Sequence, residues 1–114
     1  MEQEIEIMVA DERHIDYVEV ILDTIEKAAK VRGTGIAKRD PEYVKDKIRE
    51  GNAVIALCGD EFAGFSYIET WENNKYVTAS GLIVPEKFRG RGLARRIKHT
   101  TFTLARTRRP EAKI

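Results

Sequence analysis

Residues that build disulfides and metal sites are scarce in this sequence. There is one cysteine, Cys58, and the two histidines, His14 and His99, are far apart in the chain. A single cysteine excludes an intramolecular disulfide and any metal site that needs several thiolates, and two distant histidines make a poor ligand set. We therefore expect no metal cofactor, and a reducing cytoplasm is the expected location.

Long hydrophobic runs are also missing. No apolar stretch approaches the roughly 20 residues that cross a bilayer, and the acidic start MEQEIE lacks the basic segment that begins a signal peptide. A chain of 114 residues, of which 42% are hydrophobic and 34% charged, instead has the composition of one globular domain. We expect a single domain spanning residues 1–114, with no membrane partner.

The net charge of +1 conceals an uneven distribution. Residues 1–86 contain 10 Lys/Arg and 18 Asp/Glu, a balance of −8, whereas residues 87–114 contain 10 Lys/Arg and 1 Asp/Glu, a balance of +9. A basic segment on a nearly neutral protein predicts an anionic partner near that segment. A solvated helix face rich in arginine is the alternative explanation.

Hydrophobic periodicity predicts two helices in the first half of the chain. After a half-buried strand at 4–9, Asp11 is placed as the N-cap of a helix that ends near Gly33. Asp40 and Pro41 then provide a cap and a first helical residue for a shorter helix that ends near Glu50. The glycine-containing and basic segment between the two helices, RGTGIAKRD, is predicted to be a mobile loop.

Three strands follow the second helix. They are predicted at 52–58, 61–71 and 76–84, and the first two form a hairpin across a Gly-Asp turn. A final helix with apolar residues at helical spacing begins after the last strand and ends before Pro110. The resulting order is β-α-α-β-β-β-α, and the terminal EAKI is a candidate start of one more strand.

The junction between the last strand and the last helix, PEKFRGRGLARRIKHT, combines two glycines with six Lys/Arg residues. The first turn of a helix presents unpaired N–H groups and the positive end of its dipole, so anions bind there. Glycine lets the backbone approach a phosphate closely, and arginine adds charge and forked donors. The junction therefore predicts a pyrophosphate site.

Two common phosphate-binding motifs do not fit this junction. The P-loop pattern is absent, and the dinucleotide fingerprint would require glycine at Arg95. The run RGRGLA, preceded by LIVPEKF, resembles the [Q/R]-x-x-G-x-[G/A] motif of the GCN5-related N-acetyltransferase (GNAT) superfamily, which binds acyl-CoA. The resemblance extends over nearly the whole chain, because the superfamily begins with the same element order.

This resemblance implies a mixed α/β (α+β) fold with a mainly antiparallel sheet and a site for acetyl-CoA or another acyl-CoA as cosubstrate. The motif amides would hold the CoA pyrophosphate, and the fourth strand would pair with the pantetheine arm. A bulge in that strand, easily formed at Gly81, would aim an amide at the thioester carbonyl. The implied CoA-binding residues are Leu82, Ile83, Val84, Arg89, Gly90, Arg91, Gly92, Leu93 and Ala94.

The implied chemistry is transfer of an acetyl group to a primary amine by direct attack on the thioester. Many members of the superfamily carry a glutamate base on the fourth strand, but YVTASGLIV has no carboxylate. Glu69 on the preceding strand is the candidate substitute, against the alternative that it points to solvent. Ser80 is a candidate for positioning a water, whereas Tyr67 is expected in the core or at its rim.

The acceptor is expected to be a small-molecule amine that carries a carboxylate. The loop between the first two helices offers Arg32, Lys38 and Arg39, which suit charge-assisted bonds to carboxylates, although a solvated basic loop is equally compatible. AKVRGTGIAKR and PEKFRGRGLA also resemble N-acetyltransferases of Bacteroidetes linked to arginine biosynthesis, which implies glutamate as the acceptor.

The superfamily continues beyond the element order found here, so the resemblance also implies a truncated chain. The fourth strand would be left as an open edge, and we expect either that the chain is inactive alone or that a partner, such as a second copy, completes the sheet. Two alternatives to an active transferase stay open. One is a catalytically inactive acyl-CoA-binding or assembly subunit, and the other is a nucleic-acid-binding module that uses the basic last quarter.

Overall fold

The structure is a computed structural model that describes residues 4–32, 40–71 and 76–108. The element order β-α-α-β-β-β-α is confirmed. The strands and helices are β1 (Ile5–Val9), α1 (Val18–Arg32), α2 (Pro41–Arg49), β2 (Ala53–Cys58), β3 (Glu61–Trp71), β4 (Tyr76–Ile83) and α3 (Leu93–Arg108). Two short 3-10 turns precede α1 and α3, at Glu12–Tyr17 and Glu86–Phe88.

The four strands form one antiparallel sheet in the order β1-β2-β3-β4. The predicted hairpin between β2 and β3 is confirmed, with Ala53 opposite Tyr67 and Ile55 opposite Phe65. Each neighbouring pair of strands is consecutive in sequence, as expected for short antiparallel connections. Within the described residues, β1 and β4 are the outer strands of this sheet.

The helices cover the two faces of the sheet separately. On one face, Ile21 of α1 and Val44 and Ile48 of α2 pack against alternate residues of β2 and β3, such as Ile55 and Phe65. On the opposite face, α3 packs the following residues against the intervening positions of the sheet: Leu93, Ile97 and Leu104 against Val54, Ala56 and Ala63. This alternation follows from the two-residue period of a strand, so one hydrophobic sheet supports both helical layers.

The chain begins its first helical segment differently from the sequence-based expectation. Asp11 is the N-cap, as predicted, but residues Glu12–Tyr17 form a 3-10 turn, and the α-helix starts only at Val18. The cap is reciprocal: the Asp11 side chain accepts from the Arg13 amide, and His14 Nδ1 accepts from the Asp11 amide at 3.0 Å. Because His14 takes the role that Glu or Gln has in the usual capping box, the sequence pattern does not reveal this turn.

Asp11 also makes the start of this segment sensitive to acid. Hydrogen bonds from the Arg13 side chain and then from the Arg13 amide lower the pKa of Asp11 to about 2 from 3.8. A carboxylate with a depressed folded-state pKa contributes stability above its unfolded pKa, and this contribution is lost as pH falls from about 4 towards 2. We expect Asp11→Asn to be less stable than wild type in urea at pH 7, with the difference vanishing near pH 2. A constant difference between Asp11→Asn and wild type at both pH values would contradict this explanation.

The other helices and strands begin and end within a residue or two of their predicted positions. The difference matters at the end of β4. β4 ends at Ile83, so Val84 lies beyond the strand, contrary to its placement in a strand at 76–84. The Asp40 cap and Pro41 at the start of α2 are confirmed, and Gly51 has φ +74 after its end. The predicted mobile loop RGTGIAKRD and the candidate strand at the carboxyl end lie wholly or mainly outside the described residues.

Candidate functional site

The outer strand β4 carries a bulge at Gly81. Phe65 pairs with Ile83 and Tyr67 pairs with Ser80, so two steps along β3 correspond to three steps along β4. Gly81 has φ +64, and a Cβ built on it would overlap the ring of Tyr67, with Cδ1 at 2.7 Å. A residue with a side chain fits neither this backbone conformation nor this space. The distortion expected at Gly81 is therefore present, next to the exposed Leu82.

A short, tightly fixed segment connects β4 to α3. Phe88 is only 3% exposed and packs in the core beneath α3, which anchors the turn at Glu86–Phe88. The Arg89 side chain donates from Nε to the Val84 carbonyl at 2.9 Å and closes the segment on itself. The Arg91 guanidinium lies over the Phe88 ring at 5.8 Å from the ring centre. These contacts fix the backbone and leave both arginines at the surface.

Two glycines give this junction an open backbone. Gly90 has φ +81 and Gly92 has φ +72, and a Cβ at either position would meet no atom within 4 Å. The glycines are thus required by the left-handed backbone and not by crowding. Solvent or a ligand has direct access to the peptide groups on this side of the junction.

The first turn of α3 presents free donors to that open side. The Arg96 amide donates to the Gly92 carbonyl at 3.3 Å and is the first to bond back along the helix. No backbone hydrogen bond from the amides of residues 90–95 is found in the described parts of the chain. Gly92 has no side chain to cap the helix, and the first turn contains no acidic residue. The positive end of the helix dipole is therefore not neutralised by a capping side chain or by an acidic residue of its own first turn.

Positive charge extends from this turn along the exposed face of α3. The helix contains five Lys/Arg residues and one His, and it has no Asp or Glu. None of these side chains forms an ion pair with a carboxylate within residues 4–32, 40–71 and 76–108, whereas Lys87 pairs with Glu61 at 2.8 Å. The uncompensated charge makes the junction attractive to a polyanion.

A cleft of about 350 Å³ lies beside the junction, between α1 and the segment that follows β4. Its walls come from α1, from the start of β3 and from that segment, and they include Val20, Thr24, Lys27, Phe62, Pro85 and Arg89. Since Arg89 belongs to both the cleft and the junction, a ligand bound at the first turn of α3 has a concave surface next to it.

Glu69, the candidate base, lies on the face of the sheet that α1 and α2 cover. It is half-buried and accepts a hydrogen bond from the Tyr43 hydroxyl of α2. Burial, and secondarily the hydrogen bond and negative charge of Glu69, raise the pKa of Tyr43 well above its usual value of 10, so this phenol stays protonated and donates. Glu69 is also the register partner of Thr78 on β4, so it lies beside the strand that has no carboxylate of its own.

Ser80 and Tyr67 form the next pair along the same two strands. Tyr67 is fully buried and belongs to the core, which confirms one of the two positions expected for it. Ser80 is half-buried, and its carbonyl accepts from the Ser66 hydroxyl at 3.1 Å. The structure thus brings Glu69, Ser80 and the bulge onto neighbouring positions of β3 and β4. The contact between Tyr43 and Glu69 was not anticipated from the sequence.

The basic residues proposed for the acceptor are not described. Lys38 and Arg39 lie outside the described residues, and the same holds for the side chain of Arg32. In the described part of the chain, no group of three or more His, Cys, Asp or Glu residues is arranged to hold a metal ion. No helix within that part is long and apolar enough to span a bilayer.

The similarity of this chain to known proteins lies in its structure. No protein-family model and no curated protein matches the sequence. The fold superposes on N-acetylglutamate synthase from Neisseria gonorrhoeae, complexed with coenzyme A and N-acetyl-glutamate, with a TM-score of 0.70 at 17% identity over 94% of this chain. It also superposes on a GNAT-family acetyltransferase from Streptococcus agalactiae, with a TM-score of 0.66 at 18% identity over 90% of this chain. The chain has the GNAT fold.

A further GNAT-like structure is a diaminobutyrate acetyltransferase from Paenibacillus lautus in complex with diaminobutyric acid and coenzyme A. The TM-score is 0.70 at 11% identity over 88% of this chain. The chain spans 24% of the Neisseria protein, 57% of the Paenibacillus protein and 70% of the Streptococcus protein. The GNAT fold is therefore shared at low sequence identity, and these relatives extend beyond the part that matches.

Proposed function

We propose that this chain is the acyl-CoA-binding part of a GNAT-superfamily N-acetyltransferase that transfers an acetyl group from acetyl-CoA to a primary amine. The observation that carries the proposal is the β4–α3 junction. Two open glycines and the uncapped first turn of α3 offer unpaired amides at the position where the RGRGLA motif predicts a pyrophosphate. Support also comes from solved structures of the same fold that contain coenzyme A.

In this proposal the diphosphate of CoA binds the unpaired amides from Gly90 to Ala94, whereas the Arg89 amide already donates to the Glu86 carbonyl at 3.2 Å. The helix dipole and the surface charge of Arg89 and Arg91 favour the dianion. Among the residues that the structure describes, Arg89 donates a side-chain hydrogen bond only from Nε, so its terminal nitrogens face no protein acceptor there. Arg91 stays exposed above Phe88. This binding site is preformed, because buried Phe88 and the hydrogen bond from Arg89 to the Val84 carbonyl hold its backbone in place.

The pantetheine arm would add to the outer edge of β4 as an extra strand would. Leu82 and Ile83 supply the backbone groups, whereas Val84 contributes less than the sequence suggested, because it lies beyond the strand and its carbonyl already accepts from Arg89. The bulge at Gly81 turns the next amide away from the regular strand direction. That amide is the proposed donor to the thioester oxygen as negative charge develops on it.

The reaction would proceed by direct transfer. The amine nitrogen forms a bond to the thioester carbon, the C–S bond breaks, and the thiolate takes a proton that the nitrogen has released. Glu69 is the proposed base that removes the first proton from the acceptor's ammonium, directly or through a water beside Ser80. This role is supported by its half-buried position on β3, opposite Thr78 of the strand that has no carboxylate of its own.

The proposed acceptor is an amino acid such as glutamate, held by Arg32, Lys38 and Arg39 through its carboxylates. Two of the solved structures of this fold contain N-acetyl-glutamate or diaminobutyric acid, which supports an amino acid as acceptor. A relationship to the arginine-biosynthesis enzymes of Bacteroidetes, a cytoplasmic location and a second copy pairing at the open β4 edge belong to the same proposal.

Calorimetric titration tests the proposed ligand. Acetyl-CoA and CoA should bind with similar affinity, since both carry the diphosphate, and binding should weaken when salt is raised from about 50 to 200 mM. A short DNA duplex is the competing ligand, favoured by the uncompensated charge of α3. Duplex binding with a steep salt dependence and no binding of acetyl-CoA would replace the transferase proposal by a nucleic-acid-binding module. Acetyl-CoA binding by the protein, with no transfer to any amino acid, would favour the inactive acyl-CoA-binding subunit.

A further inference from the structure

The contact between α2 and β3 forms a small polar cluster above the sheet, beside the bulge. Tyr43 and Lys47 project from one face of α2, one turn apart, towards Tyr67 and Glu69 of β3. The Tyr43 hydroxyl donates to Glu69 Oε1. This bond joins residues 26 positions apart in sequence and crosses from the helical layer to the sheet.

The ring of Tyr43 is held on two sides. Its plane meets the buried ring of Tyr67 edge-on, with ring centres 5.8 Å apart and an interplanar angle of 82°. The Lys47 ammonium lies 5.4 Å from the centre of the Tyr43 ring and 5.6 Å from that of Tyr67. Lys47 is itself fixed, because Nζ donates to the Ile68 carbonyl at 2.9 Å. Edge-on aromatic and cation–π contacts of this kind restrict the ring to one orientation.

We propose that Tyr43 is a positioning residue for Glu69. Its hydroxyl holds Oε1, and the carboxylate therefore presents Oε2 to the acceptor amine in a fixed direction. This inference rests on the proposed function of Glu69 as the base and assigns the group that orients it. Tyr43 lies in the first turn of α2, which begins at the Asp40 cap.

The proton transfer is balanced within this arrangement. An N–H proton of the acceptor ammonium moves to Glu69 Oε2, which gives a neutral amine and a neutral carboxyl group. Tyr43 keeps its own proton throughout, because burial and the neighbouring Glu69 raise its pKa. Tyr43 therefore neither gains nor loses charge during the reaction and acts only through the orientation of Glu69.

The contact itself is testable without catalysis. Changing Glu69 to glutamine removes the neighbouring charge, so the pKa of Tyr43 should fall, although burial, the larger cause, still holds it above its usual value. Absorbance titration of the tyrosinates should show one of the four tyrosines moving to lower pH in Glu69→Gln. When Tyr43 is already phenylalanine, Glu69→Gln should shift none of the remaining tyrosines. When Tyr76, an exposed tyrosine on β4, is phenylalanine instead, Glu69→Gln should still shift one tyrosine. Identical titrations of wild type and Glu69→Gln would overturn the contact.

The functional role is tested by measuring acetyl transfer. Tyr43→Phe keeps the ring contacts and removes the hydroxyl, and it should lower kcat about 10-fold, the effect of one lost hydrogen bond, with KM for acetyl-CoA unchanged. Glu69→Gln should lower kcat about 100-fold or more. The double variant should be no slower than Glu69→Gln alone, because residues that act through one group are not additive. Tyr76→Phe should match wild type.

The outcomes separate this inference from the proposed function. If Glu69→Gln is slow and Tyr43→Phe is as fast as wild type, Glu69 remains the base and the positioning role of Tyr43 is overturned. If acetyl transfer is intact in Glu69→Gln, or absent in wild type that binds acetyl-CoA, the role of Glu69 fails and the role of Tyr43 fails with it. A merely structural role for Tyr43 would lower the unfolding free energy and leave kcat at wild-type level.

Discussion

Replacing Gly81 by alanine is expected to lower the free energy of unfolding by about 3 kcal/mol or more. Two costs add at this position. The backbone conformation, φ +64, costs a residue with a Cβ about 1–2 kcal/mol, and the new methyl group overlaps the buried ring of Tyr67, which costs a further 1–3 kcal/mol or so. Tyr67 has no room to move, since it is fully buried between the bulge and α2.

The control for Gly81→Ala is Gly90→Ala. Gly90 has φ +81 and open space around its Cβ position, so it carries the backbone cost of about 1–2 kcal/mol without the overlap. Urea unfolding of the three proteins should therefore rank wild type above Gly90→Ala and Gly90→Ala above Gly81→Ala. Equal losses in the two variants would show that Tyr67 does not pack against the bulge.

Replacing Ala94 by glutamate should weaken CoA binding by about 100-fold or more while leaving the fold intact. Ala94 is an exposed residue in the first turn of α3. A carboxylate there suits the helix dipole, so the unfolding free energy should change by less than about 0.5 kcal/mol. The same charge lies close to the proposed diphosphate. At a separation of about 5 Å and an effective dielectric constant near 20, the repulsion is about 3 kcal/mol for each unit of charge on the diphosphate. The variant therefore separates binding from stability, and calorimetry with CoA measures it.

Thr103→Glu is the matched control for that variant. It adds the same charge to an exposed position of the same helix, about 14 Å further along the axis, where the charge is largely screened. CoA should bind Thr103→Glu within a few-fold of wild type. An equal loss of affinity in both variants would mean that CoA responds to the total charge of α3 and not to its first turn.

The sequence predicted most of the fold because its local signals agree with the tertiary structure. Asp40 caps α2 and Pro41 is its first residue, so a short local signal determines where this helix starts. In the same way, β2 and β3 have the alternating residues and the turn residues of a hairpin. Gly81 was a signal of the same kind, since a glycine inside a strand points to a bulge, and the register of β3 and β4 confirms it.

Other features depend on contacts that sequence patterns do not encode. Tyr43 occupies an exposed helical position, so periodicity alone gives it no partner, and its bond to Glu69 requires α2 to cross β3 at one particular place. The 3-10 turn before α1 depends on His14 acting as a capping acceptor. Val84 was placed in the strand because it is apolar, whereas the bond from Arg89 to its carbonyl belongs to the turn beyond the strand.

In the proposed function, the unpaired amides where α3 begins form the binding site for the diphosphate of CoA. The most direct test of this assignment is an amide NMR titration of the protein with CoA, followed residue by residue. The amides from Gly90 to Ala94 should shift most strongly and saturate together, and those in the second half of α3 should change little. Saturable CoA binding that leaves the amides of residues 90–94 unshifted would contradict this assignment.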